Sequence, residues 1–73
     1  DKDKEQCWRV KVSQGRASAT GFVYASRAEM EIKRDEVMKR GYVLKFWPEG
    51  MYNNRQDCEA NNANLFTDFF KMN

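Results

Sequence analysis

The side chains that could carry out chemistry are few in this chain, and the commonest general base is absent. The sequence contains no histidine, so a serine or cysteine nucleophile would lack its usual activating partner. The four glycines are too widely spaced to form a loop that could hold phosphate groups. We therefore predict no catalytic residues, no bound cofactor and a protein that is not an enzyme.

Carboxylate pairs are the remaining candidates for acid–base chemistry. Glu29 with Glu31 and Asp35 with Glu36 fall within the run RAEMEIKRDEVMKR, in which acidic and basic residues are interleaved. Such interleaving is typical of the solvent-exposed face of a helix. We expect these four carboxylates to be surface charges without a catalytic role.

Two cysteines, Cys7 and Cys58, offer the only thiol chemistry. A tetrahedral zinc site requires four ligands, which two cysteines in a chain without histidine do not provide, so no metal site is predicted. The pair is either two free thiols or a possible disulfide. Free thiols are preferred, because cytoplasmic proteins rarely keep a disulfide and we expect a cytoplasmic protein, in the host cytoplasm if the source is a virus.

Basic and aromatic side chains form the combination best suited to binding. In the strands predicted below they fall on one face of a sheet, where cations can contact acidic groups and flat rings can stack against a partner. The candidate partner-binding residues are Arg9, Lys11, Arg16, Phe22, Tyr24, Lys45 and Trp47. The alternative is that a C-terminal helix covers the rings, and that the aliphatic stems of the lysine and arginine side chains lie around the edge of this helix.

The elements that would position these residues begin with a strand over residues 7–13. Apolar side chains alternate with polar ones at Trp8, Val10 and Val12, which is the pattern of a strand with one buried face. These three side chains are expected to face the core, whereas Arg9 would point to the opposite side of the sheet.

A hairpin connects this strand to the next one. Gln14 and Gly15 can form a two-residue turn, since glycine adopts the positive φ that tight hairpin turns require. The second strand would then cover residues 16–24. The predicted cross-strand pairs are Val12 with Ala17, Val10 with Ala19, and Trp8 with Gly21.

A helix and a third strand follow. Ser26 and Glu29 have the spacing of a capping box, which predicts a helix over residues 27–40 that ends at the following glycine. Residues 42–47 alternate again and are predicted to form the third strand, which Pro48 would end. A right-handed crossover through the helix would make the second and third strands parallel.

The tail carries a second apolar pattern. Its large side chains recur at helical spacing, which predicts a short C-terminal helix over residues 62–72, beyond a loop at residues 48–57. The apolar side chains concerned are Leu65, Phe66, Phe69 and Phe70. Because the first helix would occupy one face of the sheet, we expect the tail to cover the second face or an edge.

Together these elements predict one α+β domain of ββαβα order over residues 7–73, preceded by a charged, flexible segment at residues 1–6. The predicted sheet has three strands, is mixed and has the order 2-1-3, with one helix on one face and the short helix at the C-terminus. Charges of both signs are interleaved and no long apolar run occurs, which argues against a polyanion-binding tail and against a membrane-bound protein.

A hairpin, a capped helix, a strand and an aromatic tail resemble the general build of small phage-encoded and mobile-element accessory proteins that bind and inhibit host machinery. The resemblance is one of size and architecture, and it implies a protein-binding regulator or inhibitor. The alternative is a single-stranded nucleic-acid-binding module that uses the basic and aromatic face. An exposed sheet edge or the C-terminal helix would also allow a homodimer.

Overall fold

The computed structural model describes residues 4–60 together with Asn62 and Phe66. In chain order the elements are β1 (Gln6–Gln14), β2 (Ala17–Ala25), α1 (Arg27–Lys39), β3 (Val43–Pro48) and α2 (Arg55–Cys58). The strands form one sheet in the order β2-β1-β3. The predicted α+β class, the three strands, the long helix and the strand order are therefore confirmed.

Neighbouring strands of the sheet are antiparallel throughout, so the prediction of a mixed sheet is wrong. β1 pairs antiparallel with β2 on one side and with β3 on the other. β2 and β3 do run in the same direction, as predicted. They lie on opposite sides of β1, however, and therefore form no parallel ladder with each other.

The β1–β2 hairpin turns at Gly15 and Arg16, one residue later than predicted. Gly15 has a φ of +59°, and some tight hairpin turns place glycine first of the two turn residues. The cross-strand pairs are accordingly Val12 with Ala19, Val10 with Gly21, and Trp8 with Val23. Each β1 residue pairs with a β2 residue two positions later than predicted, so every side chain keeps its predicted face.

The first face of the sheet, which carries Trp8, Val10 and Val12, holds the hydrophobic core. Val10 lies in the central strand and is 0% exposed. α1 packs against the β3 side of this face and buries Met30 and Val37 in the core. Alternation in β1 thus predicted the buried face correctly.

The apolar residues predicted for the third strand face the same core. Leu44 is buried, and Tyr42 and Phe46 are partly buried against the core. The rings of Phe46 and Trp8 meet edge to face, with centroids 5.2 Å apart. The Arg34 guanidinium of α1 lies over the Phe46 ring, 5.9 Å from its centroid.

The predicted capping box begins α1. The backbone N–H of Glu29 donates to Ser26 Oγ at 3.2 Å, and the backbone N–H of Ser26 donates to the Glu29 carboxylate at 3.0 Å. Hydrogen bonds to the Glu29 carboxylate, first from the Ser26 backbone N–H and second from the Ser26 side chain, hold the pKa of Glu29 below its ordinary value. At the other end, Gly41 takes a φ of +91° and donates its N–H to the Met38 carbonyl oxygen.

α2 occupies part of the segment predicted to be a loop at residues 48–57. The Asn54 side chain accepts a hydrogen bond from the Asp57 backbone N–H at 2.8 Å and donates one to the Asp57 carboxylate at 3.2 Å. Asparagine is a favoured residue at this position before a helix. The helix has four residues, which is too short for hydrophobic periodicity to reveal it.

The predicted C-terminal helix over residues 62–72 lies outside the described residues except for Asn62 and Phe66. Phe66 is helical and 2% exposed, and a Cβ at Gly21 would overlap its ring. Gly21 pairs with Val10 and faces the same side, so Phe66 packs on the first face. The expectation that the tail covers the second face is wrong for Phe66, because Gly21 leaves space on the β2 side of the core. The alternative that the tail covers an edge is met by Asn62, which binds the outer edge of β2.

Candidate binding surface

The second face of the sheet lies opposite the core and carries the basic and aromatic candidates. Its residues form rows that cross the sheet from β2 through β1 to β3. The rows are Tyr24, Cys7 and Glu49; Phe22, Arg9 and Trp47; Thr20, Lys11 and Lys45; and Ser18, Ser13 and Val43. The row of Cys7 is covered, whereas much of the remaining surface is open.

A disulfide joins Cys7 in β1 to Cys58 at the end of α2. Of the two alternatives that the sequence left open, the structure contains the bridge. Both cysteines are 1% exposed, and their Cα atoms are 5.7 Å apart. The disulfide therefore holds α2 against β1 and β2 at one end of the second face.

The covering segment, which we define as residues 52–55 and which leads into α2, lies over the aromatic residues of β2. The Phe22 ring meets the Tyr52 ring edge to face, with centroids 5.9 Å apart. The Arg55 guanidinium lies over the Tyr24 ring at 5.8 Å, and the Tyr24 hydroxyl donates to the Asn53 carbonyl oxygen at 3.2 Å. These contacts leave Phe22 and Tyr24 only partly exposed.

Side chains that follow α2 bind the outer edge of β2. The Asn62 side chain accepts from the Phe22 backbone N–H and donates to the Phe22 carbonyl oxygen, each at 2.7 Å. The Glu59 carboxylate accepts from the Tyr24 backbone N–H at 3.0 Å. A side-chain amide and a carboxylate thus satisfy backbone groups that a neighbouring strand would otherwise bind.

The open part of the second face contains a basic patch, which we define as Arg9, Lys11, Lys45 and Trp47. All four residues are exposed, and Trp47 is 45% exposed. Arg9, Lys11 and Trp47 line a shallow depression of about 490 Å³. This surface is the strongest candidate binding site in the described part of the chain, because it combines grouped charge with an accessible aromatic ring.

Electrostatics within the basic patch are unfavourable for the isolated protein. Lys11 and Lys45 lie directly opposite each other on neighbouring strands, and like charges in that position destabilise a sheet. Arg9 is the next β1 residue on the same face, about 7 Å further along the strand. Glu49 supplies one negative charge at the rim of the depression. An anionic partner would relieve the repulsion among the cations.

The seven predicted partner-binding residues are divided by the structure. Arg9, Lys11, Lys45 and Trp47 come together in the basic patch. Phe22 and Tyr24 share the face but are covered. Arg16 was predicted to lie in the second strand. It lies in the hairpin turn instead, beyond the last row of the face.

Three residues that line the depression were not among the predicted binding residues, namely Thr20, Pro48 and Glu49. The alternation of β2 does place Thr20 on the second face, but its side chain is neither basic nor aromatic. Glu49 follows Pro48, where the third strand is predicted to end. Its backbone N–H still donates to the Cys7 carbonyl oxygen at 2.9 Å, and no sequence signal indicates that continuation of the ladder.

The carboxylates considered for acid–base chemistry have local partners on α1. Glu29 caps the helix, and the other three lie beside basic side chains at distances of 3.4–3.9 Å. These ion pairs are Arg27 with Glu31, Lys33 with Glu36, and Arg34 with Asp35. Within the residues that the structure describes, no group of three or more histidine, cysteine or acidic side chains is placed to hold a metal ion.

Two further findings bear on function. Among the described residues, no helix has the length and apolar character required to cross a membrane. No protein-family model matches the chain, and no curated protein or solved structure is significantly similar to it. The geometry of the basic patch is therefore the main guide to the function of this chain.

Proposed function

We propose that this chain is a non-enzymatic binding protein that contacts an acidic surface of another protein through the basic patch and acts as a regulator or inhibitor of that protein. Arg9, Lys11 and Lys45 supply charge complementarity. Trp47 supplies an aromatic anchor of the kind that contributes strongly to protein interfaces.

One observation carries this proposal, namely the pairing of Lys11 with Lys45 across neighbouring strands. In the free protein this arrangement costs stability. In a complex, an acidic group placed between the two ammonium groups converts the repulsion into two attractive contacts. A surface that is unfavourable alone and favourable when bound is what a binding site for an acidic partner requires.

A single-stranded nucleic acid is the second candidate, because cations beside an exposed tryptophan also fit phosphates and a stacked base. The contacts of Tyr52 and Arg55 weaken this candidate. Of the three aromatic rings predicted for the second face, Phe22 and Tyr24 are covered by them. A surface that tracks a single strand usually stacks successive bases on several rings, and Trp47 alone offers one.

The disulfide supports a location different from the cytoplasm that we expected. Disulfides form and persist in oxidising compartments and are rare in the cytoplasm. Cys7 and Cys58 are paired and buried, so the bridge is part of the fold. We therefore propose a site of action in an oxidising compartment or outside the cell.

Charge reversal tests the proposed function. The variant Lys11→Glu/Lys45→Glu should capture the protein partner at least about tenfold less strongly than the wild type, because two attractive contacts become repulsive. The immobilised protein is incubated with a nuclease-treated extract of its source organism, and the retained proteins are quantified by mass spectrometry. Trp47→Ala should weaken capture of the same proteins.

The matched control is Arg27→Glu/Lys39→Glu, which makes the same change of net charge on exposed positions of α1. This control should capture the partner as the wild type does. Equal losses in both double variants, or unchanged capture by Lys11→Glu/Lys45→Glu, would contradict the proposal. Binding of an oligothymidine that weakens steeply with salt, without any protein capture, would favour the second candidate.

A further inference from the structure

The two edges of the sheet differ in how their backbone groups are satisfied. At the β2 edge, Asn62 binds the outward N–H and C=O of Phe22, and Glu59 binds the outward N–H of Tyr24. These contacts block the pairing of another strand with this half of β2. β3 forms the opposite edge of the sheet.

Strand geometry determines which groups of β3 point outward. The Glu49 N–H donates to the Cys7 carbonyl oxygen, and residues along an antiparallel pair alternate between bonded and non-bonded positions. Counting back from Glu49, the N–H and C=O groups of Leu44 and Phe46 point away from β1. We call these four groups the β3 edge. They form no hydrogen bond with any residue that the structure describes.

The β3 edge is short, and both of its ends are defined. Before it, the Tyr42 N–H donates to the Val37 carbonyl oxygen at 3.2 Å, at the end of α1. After it, Pro48 has no N–H to offer a further strand. An added strand would therefore find its main bonding positions at Leu44 and Phe46, which is enough for a segment of about five residues.

The side chains beside the β3 edge give it selectivity. On the second face it is bordered by Lys45, with exposed Val43 and Trp47 on either side. A second copy pairing antiparallel about Lys45 would place two lysines opposite each other, which destabilises a sheet. A strand that carries a carboxylate beside Lys45 would be favoured for the same physical reason.

We infer that the β3 edge pairs with an extended segment of the partner protein, which joins the sheet as a fourth strand. This inference rests on the proposed function and adds the partner's conformation and sequence pattern. Backbone bonds to Leu44 and Phe46 supply affinity, and alternate side chains supply specificity. The segment carries Asp or Glu beside Lys45, and apolar residues two positions away on each side, next to Val43 and Trp47.

A synthetic peptide tests this inference on the intact protein. The probe is acetyl-Thr-Val-Thr-Glu-Thr-Val-Thr-amide, whose Glu and Val side chains would lie on the second face when the peptide pairs antiparallel with β3. Its two central Thr residues would then direct their N–H groups at Leu44 and Phe46. N-methylation of these two Thr residues removes the bonds to β3. N-methylation of Glu and one Val alters only the far side of the peptide and is the matched control.

Binding is measured by NMR titration of the labelled protein. The unmodified peptide should shift the amide resonances of Leu44 and Phe46. N-methylation of the two Thr residues should weaken binding at least about tenfold, since it removes two hydrogen bonds, while the control peptide should stay within about threefold of the unmodified one. Replacing Glu by Lys in the peptide should also weaken binding at least about tenfold.

Three outcomes would overturn the inference. These are absence of binding by the unmodified peptide, equal binding by both N-methylated peptides, and a dimer in which Leu44 and Phe46 amides are already protected from hydrogen exchange. Each outcome is distinguishable from failure of the proposed function. If the peptide test fails while partner capture still depends on Lys11 and Lys45, the proposed binding of an acidic partner stands. Only the pairing of that partner with β3 is then rejected.

Discussion

Removal of the disulfide, in the variant Cys7→Ala/Cys58→Ala, is expected to lower the free energy of unfolding by about 4 kcal/mol. The bridge connects residues 51 positions apart, so its loss increases the conformational entropy of the unfolded chain. A domain of 73 residues has a total stability of about 4–11 kcal/mol. The loss is therefore a large share of the total, and urea denaturation of the variant and the wild type measures it.

The disulfide variant should also change the second face. Without the bridge, this end of the second face is held by noncovalent contacts alone, namely those of Tyr52 and Arg55 with the β2 rings and those of Glu59 and Asn62 with the β2 edge. A thiol reductant should shift the urea midpoint of the wild type toward that of the variant and leave the variant unchanged. Unfolding free energies that agree within about 1 kcal/mol between the oxidised wild type and the variant would show that the bridge contributes little to the fold.

Addition of one methyl group at Gly21 is expected to have the second large effect. A Cβ at this position would overlap the Phe66 ring, so Gly21→Ala should cost about 1–3 kcal/mol through overpacking. Phe66→Ala should cost about 3–5 kcal/mol, because the ring is almost completely buried in the core. Thermal or urea denaturation of both single variants gives these values.

The double variant Gly21→Ala/Phe66→Ala provides the control for this contact. Without the ring, the new methyl group meets free space, and alanine is favoured over glycine in a strand by about 0.5–1 kcal/mol. Gly21→Ala should thus destabilise the wild type and stabilise the Phe66→Ala background. The same effect in both backgrounds would mean that Phe66 does not pack on Gly21.

The elements of the fold that follow local rules were predictable from the sequence. Alternation at Trp8, Val10 and Val12 identified the buried face of β1, and the spacing of Ser26 and Glu29 identified the start of α1. Both signals depend on side chains close together in sequence, for which the periods of strands and helices are fixed. The strand order was predicted from the hairpin and from a right-handed crossover through α1.

The details that depend on distant contacts were not predictable. Alternation does not fix strand register, because a shift of two residues preserves both faces, and the position of Gly15 in the turn decided it. Phe66 packs on Gly21, 45 positions earlier, and no local pattern indicates which glycine will accept a ring. Four of the seven predicted binding residues form the basic patch, and Phe22 and Tyr24 were excluded by a covering segment whose position depends on the disulfide.

Photo-crosslinking from position 47 shows directly whether the basic patch contacts a protein. p-Benzoylphenylalanine is introduced in place of Trp47 and, as the control, in place of Ile32, which is 60% exposed on α1. We predict a protein adduct from position 47 that Lys11→Glu/Lys45→Glu abolishes, and none from position 32. A protein adduct from position 32 alone, or an adduct from position 47 that contains nucleic acid and no protein, would contradict it.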